Sequence, residues 1–279
     1  MNPQLMSSAQ PAALSAAGLH GRRLHVVRDG FLYAGTIDEV TTQRQSVVLY
    51  LALTDEDFEI HLPHARLVAR AAVLRPGMRN RVVGGAGPVA CIDIGATHRH
   101  FSRLARAGFS AQAWPPGHFK VALRALTAFG EGRLTHAQAD ELYTWLAELA
   151  IDRTPAVRPT DERVREVMRR LRQDLGSPTF ELAAAVGLSE SWLVHLFHRE
   201  VGITLRQYER TLRLQLAAAY LKRGVSLTEV AAMAGFADLA HFSKMWKVHY
   251  GFAPQRAFAG DEIFIDPIPS PACVELRPH

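Results

Sequence analysis

The chain has 279 residues, of which 48% are hydrophobic and 21% charged, with a formal net charge of +5. That apolar content supplies real cores and excludes wholesale disorder, and no run approaches the roughly 18 consecutive apolar residues of a membrane span. The charge excludes less: residues 1–160 carry 17 Lys+Arg against 13 Asp+Glu, residues 161–260 carry 14 against 10, and residues 261–279 carry 1 against 4, so neither large half is marked by charge alone as a nucleic-acid surface.

Residues 1–20 begin with eighteen positions that hold no Lys or Arg and no sustained apolar core, so they are expected to form a disordered tail and not a secretory signal. From Arg22 to about Ala96 the chain runs in short β-rich stretches (RLHVV, FLYAGTI, SVVLYLAL, FEIHL, RLVARAAVL, NRVVGG, PVACIDIG) broken by Gly, Pro, Asp and Asn. That pattern predicts an antiparallel barrel or sandwich. Helices are predicted at about 117–129 and 137–150, the second opened by Thr135 and Gln138 at capping-box spacing. Leu142, Trp145, Leu146 and Leu149 form one apolar stripe on it, which suits either contact with the β domain or a dimer seam. The stretch IDRTPAVRPT breaks the helical period, placing a linker at 153–160 between a β-rich domain, 21–152, and a helical one, 161–259. Residues 260–279 read as an irregular acidic tail with room for one short strand. The expected fold class is therefore α+β, in two domains.

The helical region contains a repeat with a period of about 48 residues: LAAAVGLSESWLVHLFHREVG from Leu182 and VAAMAGFADLAHFSKMWKVHYG from Val230. Gly187 matches Gly235, Leu188 matches Phe236, Leu193 matches Phe242, Phe197 matches Trp246 and Gly202 matches Gly251. Each copy is a short helix with small packing residues, a glycine for a tight turn, an apolar plug and a second helix, the arrangement of a helix-turn-helix (about 179–200 and 227–250). Thr179 and Ser189 are candidate N-caps in the first copy, and Ser226 with Glu229 makes a capping box in the second. Helical spacing assigns Trp192, Leu193, Leu196 and Phe197 to a buried side and leaves Ser191, Val194, His195 and His198 together on another. In the second copy Phe242, Met245 and Trp246 are assigned to the core, while Ala240, Ser243, Lys244 and Lys247 share an outer face. The segment Leu239–Tyr250 contains Lys244, Lys247, His241 and His249 and no acid, which marks it as the expected DNA-facing helix. A protein-interaction array of helices would show a similar repeat.

These motifs resemble those of the AraC/XylS family of bacterial transcription regulators, over about 100 residues. The resemblance rests on GITLRQYERTLRLQLAAAYL, with Tyr208, Arg213, Leu214, Ala217 and Leu221, and on GFADLAHFSKMWKVHYGFAPQRAF, with Gly235, Phe236, Asp238, Phe242, Lys247, Gly251 and Pro254. It implies two helix-turn-helix units joined by one linker helix and entering successive major grooves of double-stranded DNA. It also places base-reading positions on Ser191, Val194 and His195, and on Leu239, Ala240, Ser243 and Lys244. Leu239 and Ala240 stand where many members have polar residues, which suggests thymine-methyl contact; Trp246 stands where Phe is usual. Lys244 suits guanine or phosphate, and Lys247 phosphate. Arg206, Arg210 and Arg213 on the linker helix suit intramolecular pairing, with phosphate contact the minor option.

The β-rich region resembles, more loosely, the cupin-like sensory domains of such regulators, through its strand density, the LRPGMRNRV turn and the two following helices. A metal-cupin enzyme is the competing idea, because His61, His64, His98 and His100 are present. His98-Arg-His100 lies after the last clear strand, however, without the carboxylate that such an enzyme needs. Cys91 and Cys273 are the only cysteines, too few for a cysteine-rich zinc or alkyl-transfer site, and they point to a reducing cytosol. The expectation is a non-enzymatic, cytoplasmic, sequence-specific transcription regulator without cofactor, metal or membrane partner. It is controlled by a small-molecule effector or by homodimerisation through the N-terminal domain, and as an activator it would touch RNA polymerase. The alternative is a regulator without effector, controlled by its abundance.

Overall fold

The computed structural model describes residues 22–108, 111–221, 225–257 and 263–265. Nine short strands come first: β1 (Arg22–Val27), β2 (Gly30–Gly35), β3 (Glu39–Gln43), β4 (Val47–Ala52), β5 (Phe58–Leu62), β6 (Ala65–Ala69), β7 (Ala71–Leu74), β8 (Arg79–Val83) and β9 (Val89–Ile94). Then follow α1 (Phe101–Ala105), β10 (Ala111–Ala113), α2 (Lys120–Gly130) and α3 (His136–Ile151). One sheet has the order β10-β7-β4-β9-β2-β1 and the other β3-β8-β5-β6, with every pairing among these strands antiparallel.

Successive side chains of a strand point to opposite faces, and in β4 and β9 both faces are covered. Val48, Tyr50 and Cys91 join Phe58, Ile60 and Val82 of the smaller sheet in an inner core, while Leu49, Leu51 and Ile92 join Leu126, Phe129, Leu142 and Leu146 of the helices in an outer one. Burial on both sides is why β4 reads as an unbroken apolar run and why β9 is apolar but for Asp93. The α3 stripe faces this domain: Leu142 and Leu146 are buried, and Trp145 and Leu149 pack against the same core. Thr135 accepts from the Gln138 amide and Gln138 answers at the Thr135 amide, so the capping box forms.

The C-terminal region contains α4 (Glu162–Gln173), α5 (Thr179–Ala185), α6 (Glu190–Val201), α7 (Leu205–Leu221), α8 (Leu227–Met233) and α9 (Leu239–Tyr250). Ser189 caps α6 through the Trp192 amide, and Ser226 and Glu229 form the box that opens α8. Thr179 does not cap: α5 follows Pro178, whose fixed φ suits a helix start, and has no side-chain cap. A final strand, β11 (Ile263–Ile265), pairs in parallel with β1, Arg22 opposite Ile263 and Leu24 opposite Ile265.

The two helix-turn-helix units join different cores. Leu182, Leu193, Leu196 and Phe197 are continuous with the outer core through Phe101 and Leu104, whereas Val230, Phe242, Trp246 and Tyr250 are continuous with the inner core through Phe31 and Tyr50. The long helix α7 serves both, with Tyr208, Leu212 and Leu216 in the first and Leu214, Ala217 and Leu221 in the second. Between α3 and α4, Arg103 holds the backbone of the connecting segment by donating to the carbonyls of Ile151 (3.2 Å), Pro155 (3.1 Å) and Thr154.

Candidate nucleic-acid interface

Each unit turns at a glycine in the left-handed region, Gly187 at φ 67° and Gly235 at φ 72°. A side chain would be strained there, and at Gly235 a Cβ would stand 2.9 Å from an Arg213 nitrogen. Arg213 donates to the Gly235 carbonyl, so this arginine fastens the turn of the second unit to α7 and is turned inward. Leu188 and Phe236 fill the two corners, Phe236 being edge-on to His241 and 5.3 Å from Phe242.

The second helices, α6 and α9, carry the residues expected to read DNA. Ser191, Val194 and His195 are exposed on α6, as is His198 one turn further on. On α9, Ala240, Lys244 and Lys247 are exposed, Ser243 is half-buried, and Leu239 is half-buried against the inner core. Asp238 caps α9 through the His241 amide at 2.7 Å. Met245, assigned to the core by spacing, is half-buried.

Two residues sit on other faces than the sequence suggests. Trp192 is 46% exposed, with its ring centroid 5.9 Å from that of His195. It lies at the edge of the buried arc, beside His195 and not beneath it, because the arc closes over Leu193, Leu196, Phe197 and Glu200. His249 is not on the DNA side: it is 7% exposed and edge-on to Phe31 of β2. Burial, with the Arg44 guanidinium adding to it, holds the imidazole down at about 3, so His249 is neutral at physiological pH and adds no charge to α9.

Behind α9 lies a polar cluster that the sequence does not announce. Arg44, in the turn between β3 and β4 and 5% exposed, donates to the His249 carbonyl (2.7 Å), the Tyr50 hydroxyl (2.7 Å) and Cys91 Sγ (3.3 Å). Its guanidinium covers the Phe31 ring at 5.2 Å. Asp93 accepts from Ser46 at 2.5 Å and stands 3.8 Å from Arg44. Burial raises its carboxyl to about 6 against the pull of Arg44, and burial likewise lifts the Cys91 thiol to about 11. A cavity of about 430 Å³ opens beside this cluster, lined by Leu24, Tyr33 and Tyr50 of the sheet and by Tyr250, Phe252 and Arg256 of the second unit.

The first unit meets the N-terminal domain through a buried carboxylate. Glu200 of α6 is fully buried, pairs with Arg158 of the connecting segment, accepts from Arg199 (3.3 Å) and from the Asp161 amide (3.3 Å), and lies 4.0 Å from Arg106. Two of the four histidines considered for a metal are engaged elsewhere: His61 lies 3.1 Å from Glu59, and His100 lies 3.2 Å from Glu148. Among the described residues no group of three or more His, Cys, Asp or Glu could hold a metal ion, and no helix is long and apolar enough to cross a membrane.

The fold defines a two-domain protein with a duplicated helix-turn-helix module. A family described as a helix-turn-helix domain matches residues 182–259. Curated relatives include the HTH-type transcriptional regulator YidL of Escherichia coli (strain K12), 34% identical over 116 residues, which are 40% of this chain and 38% of that one. The arabinose operon regulatory protein of the same strain is 31% identical over 142 residues, 48% of each chain. The matches thus span half or less of the relatives' length. Among solved structures, ToxT from Vibrio cholerae O395 superposes with a TM-score of 0.53 at 11% identity, covering 81% of this chain and 95% of that one, and so shares the two-domain fold. Residues 182–259 thus match a helix-turn-helix domain and are similar to the corresponding part of these regulators.

Proposed function

We propose that the protein is a non-enzymatic transcription regulator that binds double-stranded DNA through α6 and α9 and whose N-terminal domain senses a small molecule. The observation that carries the reading is the pair of reading helices, each with an exposed polar or basic face, held on one linker helix against a β domain. Ser191, Val194 and His195 on one side, and Leu239, Ala240, Ser243 and Lys244 on the other, meet base edges; Lys247 meets phosphate. It acts on cytoplasmic DNA, as a monomer or a homodimer, and touches RNA polymerase if it activates.

The cavity between the sheet and the second unit is the effector site in this reading. Aromatic walls and the Arg44 guanidinium suit a compact organic acid with an apolar body, and a molecule lodged there touches both domains at once. Binding that differs between two domain arrangements shifts their populations, which is all that effector control requires.

Selection of a randomised duplex library with the full chain tests DNA binding: a two-part site with halves about one helical turn apart is expected, and no enrichment overturns the reading. A thermal-shift screen of aromatic and aliphatic organic acids tests the sensor. A ligand at 100 times its Kd stabilises by about 2.7 kcal/mol, and Ile37→Trp, which fills the cavity wall, abolishes the shift. A shift that survives Ile37→Trp removes the cavity from the reading, and no shift with any acid favours the regulator controlled by abundance.

A further inference from the structure

The two reading helices are gripped by the N-terminal domain at the same point of the repeat. Glu200 and His249 each stand two residues before the glycine that ends its helix, Gly202 and Gly251. On α6, Arg106 at the end of α1 donates to the Glu200 carbonyl at 3.3 Å; on α9, Arg44 donates to the His249 carbonyl at 2.7 Å. A guanidinium at the C-terminal end of a helix satisfies an orphan carbonyl and meets the negative end of the dipole.

Each grip is closed by contact at the glycine. A Cβ on Gly202 would lie 2.9 Å from the Ala105 Cβ, and one on Gly251 would lie 2.3 Å from Val40 Cγ2 and 3.2 Å from Thr42 Cγ2. Between the two grips, Gln215 of α7 donates to the Thr97 hydroxyl at 3.1 Å. The β domain therefore touches the first reading helix, the middle of the linker helix and the second reading helix. Arg44 is itself fixed by Tyr50 and Cys91, so the holding group on one side is set by the sheet.

We infer that Arg44 and Arg106 are positioning residues that set the distance and rotation between the two reading helices, so that the N-terminal domain acts as a ruler for the spacing of the two half-sites on DNA. Neither arginine touches DNA in this arrangement; both act through the helix ends they hold. The linker helix alone would leave each unit free to rock about its packing on α7. The β domain removes that freedom by holding the far end of each reading helix. One inserted base pair separates the half-sites by a further 3.4 Å or so and rotates them by roughly 35°, which a ruler does not tolerate and a rocking pair does.

The inference rests on the DNA-binding reading above, and one experiment separates the two. The site selected from the randomised library by the full chain is rebuilt with one base pair added or removed between its halves, and affinities are measured for the wild type and for R44A, R106A and the double variant without added small molecule. The wild type is expected to lose about tenfold or more at either altered spacing. The variants are expected to lose less than about threefold there while binding the original spacing several-fold more weakly. R44K, which keeps a buried cation on a shorter donor, carries the same test if R44A does not fold. Equal spacing penalties in wild type and variants overturn the ruler and leave DNA binding standing. Failure of the wild type to select any site overturns both.

Discussion

The two helix-turn-helix units are copies in sequence and share an arginine on the helix-end carbonyl, yet the side chains around that grip differ. The first is joined through charge: Glu200 is buried among Arg158, Arg199 and Arg106. The second is joined through aromatic packing and a capped carbonyl, with Phe31 5.4 Å from Tyr250 and Arg44 on His249. Among the described residues, the cavity is lined by Tyr250, Gly251, Phe252 and Arg256 of the second unit and by none of the first. A duplicated module can thus be wired unevenly: whatever fills the cavity acts on α9 directly and reaches α6 only through α7 and the β domain.

Removing the carboxylate should expose this difference most strongly. Glu200→Ala takes the acceptor from the Asp161 amide and the buried partner from Arg158 and Arg199, while the main-chain carbonyl that Arg106 holds remains, and it is expected to cost about 3 kcal/mol in urea unfolding. Hydrogen exchange should speed up over α6 and the 155–161 segment before α9. Equal loosening of both units would break the comparison.

Next in size, Gly251→Ala should cost about 2 kcal/mol and Gly202→Ala less. Both glycines sit near φ 90°, where an L side chain is strained, but the added Cβ meets Val40 at 2.3 Å in the second unit and Ala105 at 2.9 Å in the first. The order of the two melting temperatures is the readout, and the reverse order would show that the second unit is the more loosely held.

A pH dependence follows next, to which the second unit contributes through His249. His249 titrates near 6.5 when unfolded and near 3 when buried, so the unfolded chain takes up a proton first as pH falls. The contribution of His249 is complete above about 6.5 and is lost progressively down to about 3. Asp93 works in the opposite sense: its carboxyl, ordinarily near 3.8, is raised to about 6, so its burial costs stability at neutral pH and that cost disappears as pH falls from about 6 to below 4. His249→Phe, which keeps the ring against Phe31, should therefore make the decline between pH 6.5 and 5 shallower in thermal unfolding, leaving the share of His98, whose imidazole burial holds down at about 4. A decline unchanged from wild type would exclude His249 as its source.

The smallest effects fall on DNA. Lys247→Ala should weaken binding several-fold on all sequences and reduce the salt slope by about one, whereas His195→Ala should change the preferred base at one position of the site. Equal losses on selected and random DNA for both variants would erase the division between phosphate and base contact.

Local pattern carried the elements well. The Gly187 and Gly235 turns, the Ser189 cap and the boxes at Thr135 and Ser226 are chemistry within a few residues, and short β-rich runs broken by turn residues need no partner to be recognised. Misplacement came where a second surface decides burial. A helical wheel assigns His249 to solvent unless the β domain is known to lie behind α9, and it assigns Trp192 to the core although the arc closes at Leu193. Arg44 and Arg106 carry no local signal at all: each is one arginine at an element end, and its meaning comes from a carbonyl 205 or 94 residues away.

The parallel pairing of β11 with β1 changes the topology of the whole molecule. The helical region leaves the β domain after α3 and returns to it at Ile263–Ile265, so it is a closed span anchored at both ends and not an appendage on a single tether. Closing a chain segment on one support limits how far it can swing. A single proteolytic cut between residues 153 and 160 would leave the two pieces joined by the β1–β11 pairing and by the two helix-end grips.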